Sequence, residues 1–200
     1  MGTVRLLRQP SSPGTEKEDT PSDPELVRAA QDGALWAQEA LFRRHVRLAA
    51  GLAHRLLASH DADVDDLVQD CFVQALQNLH RLRVPEAFAS WLGSIVVRTA
   101  AKRLRRRRLQ RRLGLVRDEA PDMDALVSRA APSDLQLELQ RIYSRLDRFP
   151  TDERIALVLR KVDGMSLAQV AEAMGVSLST AKRKLRQAEE RMERIKETSR

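Results

Sequence analysis

Asp163-Gly-Met-Ser-Leu-Ala-Gln-Val-Ala-Glu-Ala-Met-Gly-Val-Ser-Leu-Ser-Thr-Ala-Lys-Arg-Lys-Leu-Arg-Gln-Ala188 sets the reading of this 200-residue chain. Ser166 followed by Gln169 is a capping box, Leu167, Val170, Ala171 and Met174 fall on one helical face, and Gly175 supplies a left-handed stop. After a turn, Ser177 is placed to cap a second helix whose apolar positions, Leu178, Ala181, Leu185, Ala188, Met192 and Ile195, recur three and four apart. Its other face carries Lys182, Arg183, Lys184 and Arg186. Small Ala171 and Ala181 let the two helices cross closely. The pattern predicts a helix-turn-helix at about 166–186 with a recognition helix sized for the DNA major groove. A helical hairpin with a solvated basic face has the same local pattern, so the rest of the chain must decide.

Upstream of the motif, Ile155, Leu157, Val158, Leu159 and Val162 predict one helix and Leu135, Leu139, Ile142, Tyr143 and Leu146 another, separated at Pro150-Thr151. Residues 133–200 therefore read as one helical domain. Before it, residues 113–132 hold Gly114, Asp118, Glu119, Pro121, Asp122, Asp124 and Pro132 with little apolar period, the composition of a flexible acidic linker. The character reverses again across Lys102–Arg112, which carries eight cations and no acid. That run continues an amphipathic helix begun by Phe88, Trp91, Leu92, Ile95 and Thr99, and Arg98, Lys102, Arg105 and Arg106 share one of its faces. Cations so placed can track a phosphate backbone beside aromatic rings able to stack on unpaired bases, while at least one of Phe88 and Trp91 is expected to pack in the core.

Val64, Leu67, Val68, Cys71, Phe72, Ala75, Leu76 and Leu79 form the cleanest apolar stripe in the chain. Asp65, Asp66, Gln69, Asp70, Gln74 and Gln77 line the other side of that helix, a face suited to a basic protein partner and ill suited to phosphates, although a plain solvated surface has the same local pattern. A calcium loop opening at Asp61 would need glycine where Asp66 stands and a carboxylate where Phe72 stands, so these acids read as favourable charge at a helix N-terminus and no metal is expected. Leu41, His45, Leu48, Leu52 and Leu56 predict a preceding long helix, with His45 a packed histidine. Ser22 to Glu25 starts a short first helix, and residues 1–21, with three prolines and no periodicity, read as a disordered tail. Residues 22–112 thus form a first helical domain.

The formal charge of +7 and a pI near 10.3 suit a chain that meets nucleic acid. A single cysteine excludes an internal disulfide, and no run approaches a membrane span or a signal-peptide core, so a cytoplasmic protein without membrane insertion is expected. No Gly-rich phosphate cradle is present, and neither a cofactor nor a catalytic centre is expected. The fold expected is all-α, two small helical domains joined by the acidic linker. The alternation of charge further suggests a closed arrangement in which basic surfaces are masked by the other domain or by the linker.

From about residue 25 to 195, the order of these features resembles the extracytoplasmic-function (ECF) sigma factors, promoter-recognition subunits of bacterial RNA polymerase. Asp63-Val-Asp65-Asp66-Leu67-Val68-Gln69-Asp70-Cys-Phe72 looks like the family's region 2 helix, Phe88-Ala-Ser-Trp91-Leu92 with the arginine run looks like its melting helix, and Leu146 to Arg186 looks like region 4. The resemblance implies that Asp66, Gln69 and Asp70 dock on the coiled coil of the largest polymerase subunit. It implies that His80, Arg81, Arg83, Phe88, Trp91, Arg98, Lys102, Arg105 and Arg106 lie where the family captures unstacked bases of the minus-ten element. Ser179, Thr180, Lys182, Arg183 and Arg186 match the surface that enters the minus-thirty-five major groove. Core RNA polymerase, promoter DNA and a restraining anti-sigma protein are the implied partners, and the linker matches the segment that threads the polymerase near the nascent RNA. Two departures are visible: Arg98 and Lys102 replace an Asn and an Asp usual in the melting helix, and Ser179-Thr-Ala-Lys-Arg-Lys184 replaces the usual Gly-Thr-Val-Lys-Ser-Arg. A stand-alone helix-turn-helix regulator, with the first domain as sensor or dimeriser, is the alternative.

Overall fold

Ser22 opens the first helix with a reciprocal cap, its backbone N–H and its hydroxyl both donating to Glu25 Oε2 at 2.7 Å. These bonds hold the Glu25 carboxyl below its ordinary range. The computed structural model describes residues 21–57, 61–115, 142–143, 145–146 and 148–198. Helix α1 (Asp23–Gln31) ends at a turn in which Gly33 takes φ of 90°, and α2 (Leu35–Leu57) runs back along it. Arg44 fixes the pair by donating to Asp23 Oδ1 at 2.8 Å and to the Pro21 carbonyl at 2.7 Å. His45 is a core histidine, as expected: it is buried, packs edge-on against Phe88 and brings Nε2 within 2.9 Å of Asp23.

The stripe on α3 (Asp61–Gln77) forms as its spacing predicts, with Val64, Leu67, Val68, Cys71, Phe72 and Ala75 buried against α2 and α4. Two 3₁₀ turns, Leu79–Arg81 and Pro85–Ala87, lead into α4 (Phe88–Arg112). In α4 the buried residues run from Phe88 to Leu104 and then stop, because its first part lies between α2 and α3 on one side and the second domain on the other. Ser94, buried there, satisfies its hydroxyl by donating to the Ser90 carbonyl at 3.1 Å.

Helix α5 (Thr151–Lys161) is covered on nearly every side, and α6 (Leu167–Met174) and α7 (Leu178–Thr198) pack against it and each other. Glu153, buried on α5, is balanced by Arg191 of α7 at 3.0 Å, whose guanidinium also lies over the Phe149 ring. Tyr143, Leu146 and Phe149 complete this core. The described residues are all-α, with seven α-helices and no strand among them. The predicted tail, the acidic linker and the predicted Leu135–Leu139 turns lie outside the described residues, apart from Pro21 and residues 113–115.

The two helical groups pack directly on each other, α6 and α5 against α4, and α5 against α2. Arg55 of α2 meets Asp163, Arg105 of α4 meets Asp152 at 2.6 Å, and Arg108 donates to the Phe149 carbonyl at 2.8 Å. Leu48, predicted in the apolar stripe, is 49% exposed because it borders a cavity of about 310 Å³ at this junction. Leu52, Gly93, Met165 and Ala173 line the same space.

Candidate nucleic-acid interface

The helix-turn-helix is built by its caps. Ser166 N–H donates to Gln169 Oε1 at 2.8 Å, Gln169 N–H returns a bond to Ser166 Oγ at 3.3 Å, and Gly175 stops α6 with φ of 66°. Ser177 Oγ accepts the Thr180 N–H at 3.2 Å and starts α7. Ala181 and Ala188 are fully buried, which turns Ser179, Lys182, Arg183 and Arg186 outward. Thr180 differs from these four: it is half-buried, and its hydroxyl lies 2.9 Å from Ser177 Oγ within the cap. Leu178 is in phase with the apolar face yet 54% exposed, because it stands at the first turn before α7 reaches its neighbours.

On α4, Arg98, Lys102, Arg105 and Arg106 are all exposed, as their shared face predicts. The arginine run is nevertheless partly engaged inside the protein. Arg103 donates to Asp70 at 2.6 Å and to the Asp63 carbonyl at 2.9 Å, and Arg107 pairs with Asp63. Arg105 and Arg108 reach the second domain, while Arg98 runs beneath Gly175, whose Cα hydrogen faces its side chain; a Cβ there would sit 3.8 Å from Arg98 Cδ. Of the two aromatic residues, Phe88 is the one that packs in the core, with 0% exposure, because the helix turns it toward His45 and not onto the cationic stripe. Trp91, 6.2 Å from it between ring centres, is half-buried.

Between α3 and α4, the 3₁₀ turns hold Leu79 and Leu82 in the core and leave His80, Arg81, Arg83 and Val84 exposed. Gln31 of α1 ties this loop down, a role that nothing in its local sequence marks. The acidic face of α3 is exposed at Asp65, Asp66, Gln69, Asp70, Gln74 and Gln77. It is less isolated than its sequence suggests: Asp63, Asp66 and Asp70 share a mixed-charge groove with Lys102, Arg103, Arg106 and Arg107. Cys71 lies beneath, with burial pushing its thiol up to about 11, so it stays protonated at neutral pH. Among the described residues no three His, Cys, Asp or Glu side chains come together as metal ligands, and no helix is long and apolar enough to cross a membrane.

Comparison with known proteins covers both helical groups. The family profile for Sigma-70 region 2 matches residues 41–110, and that for Sigma-70, region 4 matches residues 139–192. The chain is 33% identical over 174 residues to the ECF RNA polymerase sigma factor SigM of Mycobacterium tuberculosis, covering 87% of this chain and 84% of that one. It is 31% identical over 183 residues to the ECF RNA polymerase sigma-E factor of Escherichia coli, covering 84% of this chain and 91% of the relative. Among solved structures, CnrH in complex with the cytosolic domain of CnrY superposes with a TM-score of 0.60 at 25% identity, over 89% of this chain and 99% of that one. The sigma factor RpoE of Bartonella quintana, solved with the anti-sigma factor NepR, gives a TM-score of 0.59 at 21% identity, over 81% and 98%.

Proposed function

The chain belongs to the ECF RNA polymerase sigma factors, which bind core polymerase and direct promoter-specific initiation, and we propose how its surfaces divide that work. Ser179, Lys182, Arg183 and Arg186 enter the minus-thirty-five major groove, with Thr180 holding the end of the recognition helix in shape. The loop carrying His80, Arg81 and Arg83, with Trp91 and the α4 cations Arg98, Lys102, Arg105 and Arg106, takes the minus-ten element and the strand that melts there. Phe88 supports that surface from within the core and does not stack on a base. Asp66, Gln69 and Asp70 dock on polymerase.

The observation that carries this reading is the outward presentation of the α7 cations on a helix whose opposite face is closed by Ala181 and Ala188. A second basic surface on α4, more than seventy positions earlier in the chain, gives one polypeptide two places to hold one promoter. Polymerase makes the phosphodiester bonds, and this chain supplies no catalysis of its own. It therefore works in the cytoplasm, where the template is. A stand-alone regulator has no use for a region 2 docking face, and the match to both regions displaces that alternative.

In the closed arrangement, Arg55, Arg105 and Arg108 are satisfied by the second domain, so the α4 surface becomes fully available only when the two domains part. An anti-sigma protein that held them together would restrain this chain, and the related CnrH was solved with the cytosolic domain of CnrY. The test is transcription with purified core enzyme. RNA starting at a defined promoter only when this chain is added supports the reading, and no RNA from any cellular promoter overturns it.

A further inference from the structure

Gln31 is the last residue of α1, and its side-chain amide reaches across to a loop about fifty positions away. Nε2 donates to the Leu79 carbonyl at 2.9 Å and to the Leu82 carbonyl at 3.0 Å. Both of its N–H groups are thereby used, each on a backbone oxygen flanking the turn that carries His80 and Arg81. The loop's own backbone bonds include Arg81 N–H to Asn78 at 2.9 Å, Leu82 N–H to Leu79 at 3.0 Å, Ala87 N–H to Val84 at 3.0 Å and Phe88 N–H to Pro85. Below it, Leu79 and Leu82 are buried, and α1 itself is anchored by Leu26, Val27 and Ala30. The Arg28 to Glu86 pair at 3.7 Å joins the same two segments but is exposed at both ends and contributes little.

We infer that Gln31 is a positioning residue for minus-ten recognition: by pinning the carbonyls of Leu79 and Leu82 it sets the backbone from which His80, Arg81 and Arg83 project toward the promoter. The inference rests on the assignment of this loop to the minus-ten element. A loop of two 3₁₀ turns has weak internal hydrogen bonding, so its shape is set from outside. Leucine anchors fix where the loop sits, but apolar contacts are non-directional, and the bond from Leu82 N–H orients the Leu79 carbonyl without fixing that of Leu82, whose peptide plane keeps some freedom to rotate. The two directional bonds from Gln31 remove that freedom before DNA arrives, so the loop's polar groups are held at fixed positions and cannot shift to re-pair with a mismatched base. Gln31 never touches DNA in this scheme.

The experiment compares the full chain with Gln31→Met, which keeps the length and removes both donors, and Gln31→Lys, which restores donors as an ammonium. Each is assayed with core polymerase on templates unpaired across the minus-ten, as the ratio of initiation from the preferred sequence to single-base variants. Amide exchange over residues 79–87 is read in parallel. Two lost hydrogen bonds predict a fall in base discrimination of about tenfold for Gln31→Met, faster exchange confined to 79–87, and core binding within about twofold of the parent. Gln31→Lys recovers most of the discrimination. Should Gln31→Met not fold, Gln31→Ala serves as the donor-free variant. Unchanged discrimination in the donor-free chain overturns the inference, as does a loss in Gln31→Lys equal to that in Gln31→Met, which would make shape and not donation the cause. If the parent chain itself shows no preference among minus-ten bases, the loop is not the reader, and that assignment fails together with the inference.

Discussion

Arg55 and Asp163 are 108 positions apart in sequence and meet at 2.6 Å, with both Nε and Nη2 of the guanidinium turned to the same carboxylate oxygen. The Asp163 side chain is only 9% exposed, so the pair closes the seam between the two helical groups with little competition from water. Asp163→Asn keeps the size and removes the charge. We expect it to weaken closure by about 1–2 kcal/mol. Fluorescence energy transfer between dyes on α2 and α7 should then report opening at lower salt than in the parent, and an unchanged salt midpoint would remove this pair from the seam's energetics.

Asp66 and Asp70 lie on one face but differ in their surroundings. Both border the groove between α3 and α4, but Asp70 is also paired with Arg103 at 2.6 Å. Asp66→Lys should abolish copurification with core polymerase and leave the melting temperature within a few degrees. Asp70→Lys should do the same and also lose up to about 1 kcal/mol of stability, because it places a cation against Arg103. Thermal melts beside the copurification separate the two effects, and retention of core binding by both variants would refute the docking assignment.

The recognition helix gives a graded expectation in salt. Lys182→Ala and Arg183→Ala should each lower the slope of log K against log salt for a minus-thirty-five duplex by about one. Arg186→Ala should lower it by less, since Arg186 already shares charge with Glu190 at 3.4 Å. Titrations at four or five salt concentrations decide this, and slopes unchanged from the parent's in all three variants would take α7 off the phosphate backbone.

Cys71 makes a pH prediction. Its thiol titrates at about 11 in the folded chain against 9.0 when unperturbed, chiefly because it is buried. A raised folded value means that the unfolded chain releases its proton first as pH climbs. The associated stability is complete below about pH 9 and is lost through pH 11, amounting to about 3 kcal/mol if the full difference is realised. Cys71→Ala should flatten the alkaline limb of the stability curve, and the native thiol should resist alkylation at pH 8. Rapid alkylation of the folded chain would show that it is not sequestered.

Much of this was legible in the sequence because helices are locally encoded. The stripe from Val64 to Ala75, the Ser166 and Gln169 box and the Gly175 stop are patterns within a turn or two of chain, and each appears in the structure as spaced. Side-chain facing was legible less often. Phe88 and Leu48 lie on amphipathic helices that meet more than one neighbour, and periodicity says which residues share a face without saying what covers that face. The pairs joining distant segments, Arg55 with Asp163 and Gln31 with Leu79, leave no local trace because any arginine or glutamine on a helix looks alike until the chain is folded. The sequence reading of Lys102–Arg112 as a cationic surface likewise gave no sign that Arg103 and Arg107 turn back onto α3.

That last feature changes what promoter binding is for this chain. Arginines that already hold carboxylates or carbonyls do not meet a phosphate as vacant charges; they trade one oxygen ligand for another. The gain is the difference between two comparable contacts, and small differences are easily tipped. On the proposed assignment of α4 to the promoter, Arg105, which holds Asp152 across the seam, makes that same exchange, so ionic strength weighs on both sides of it.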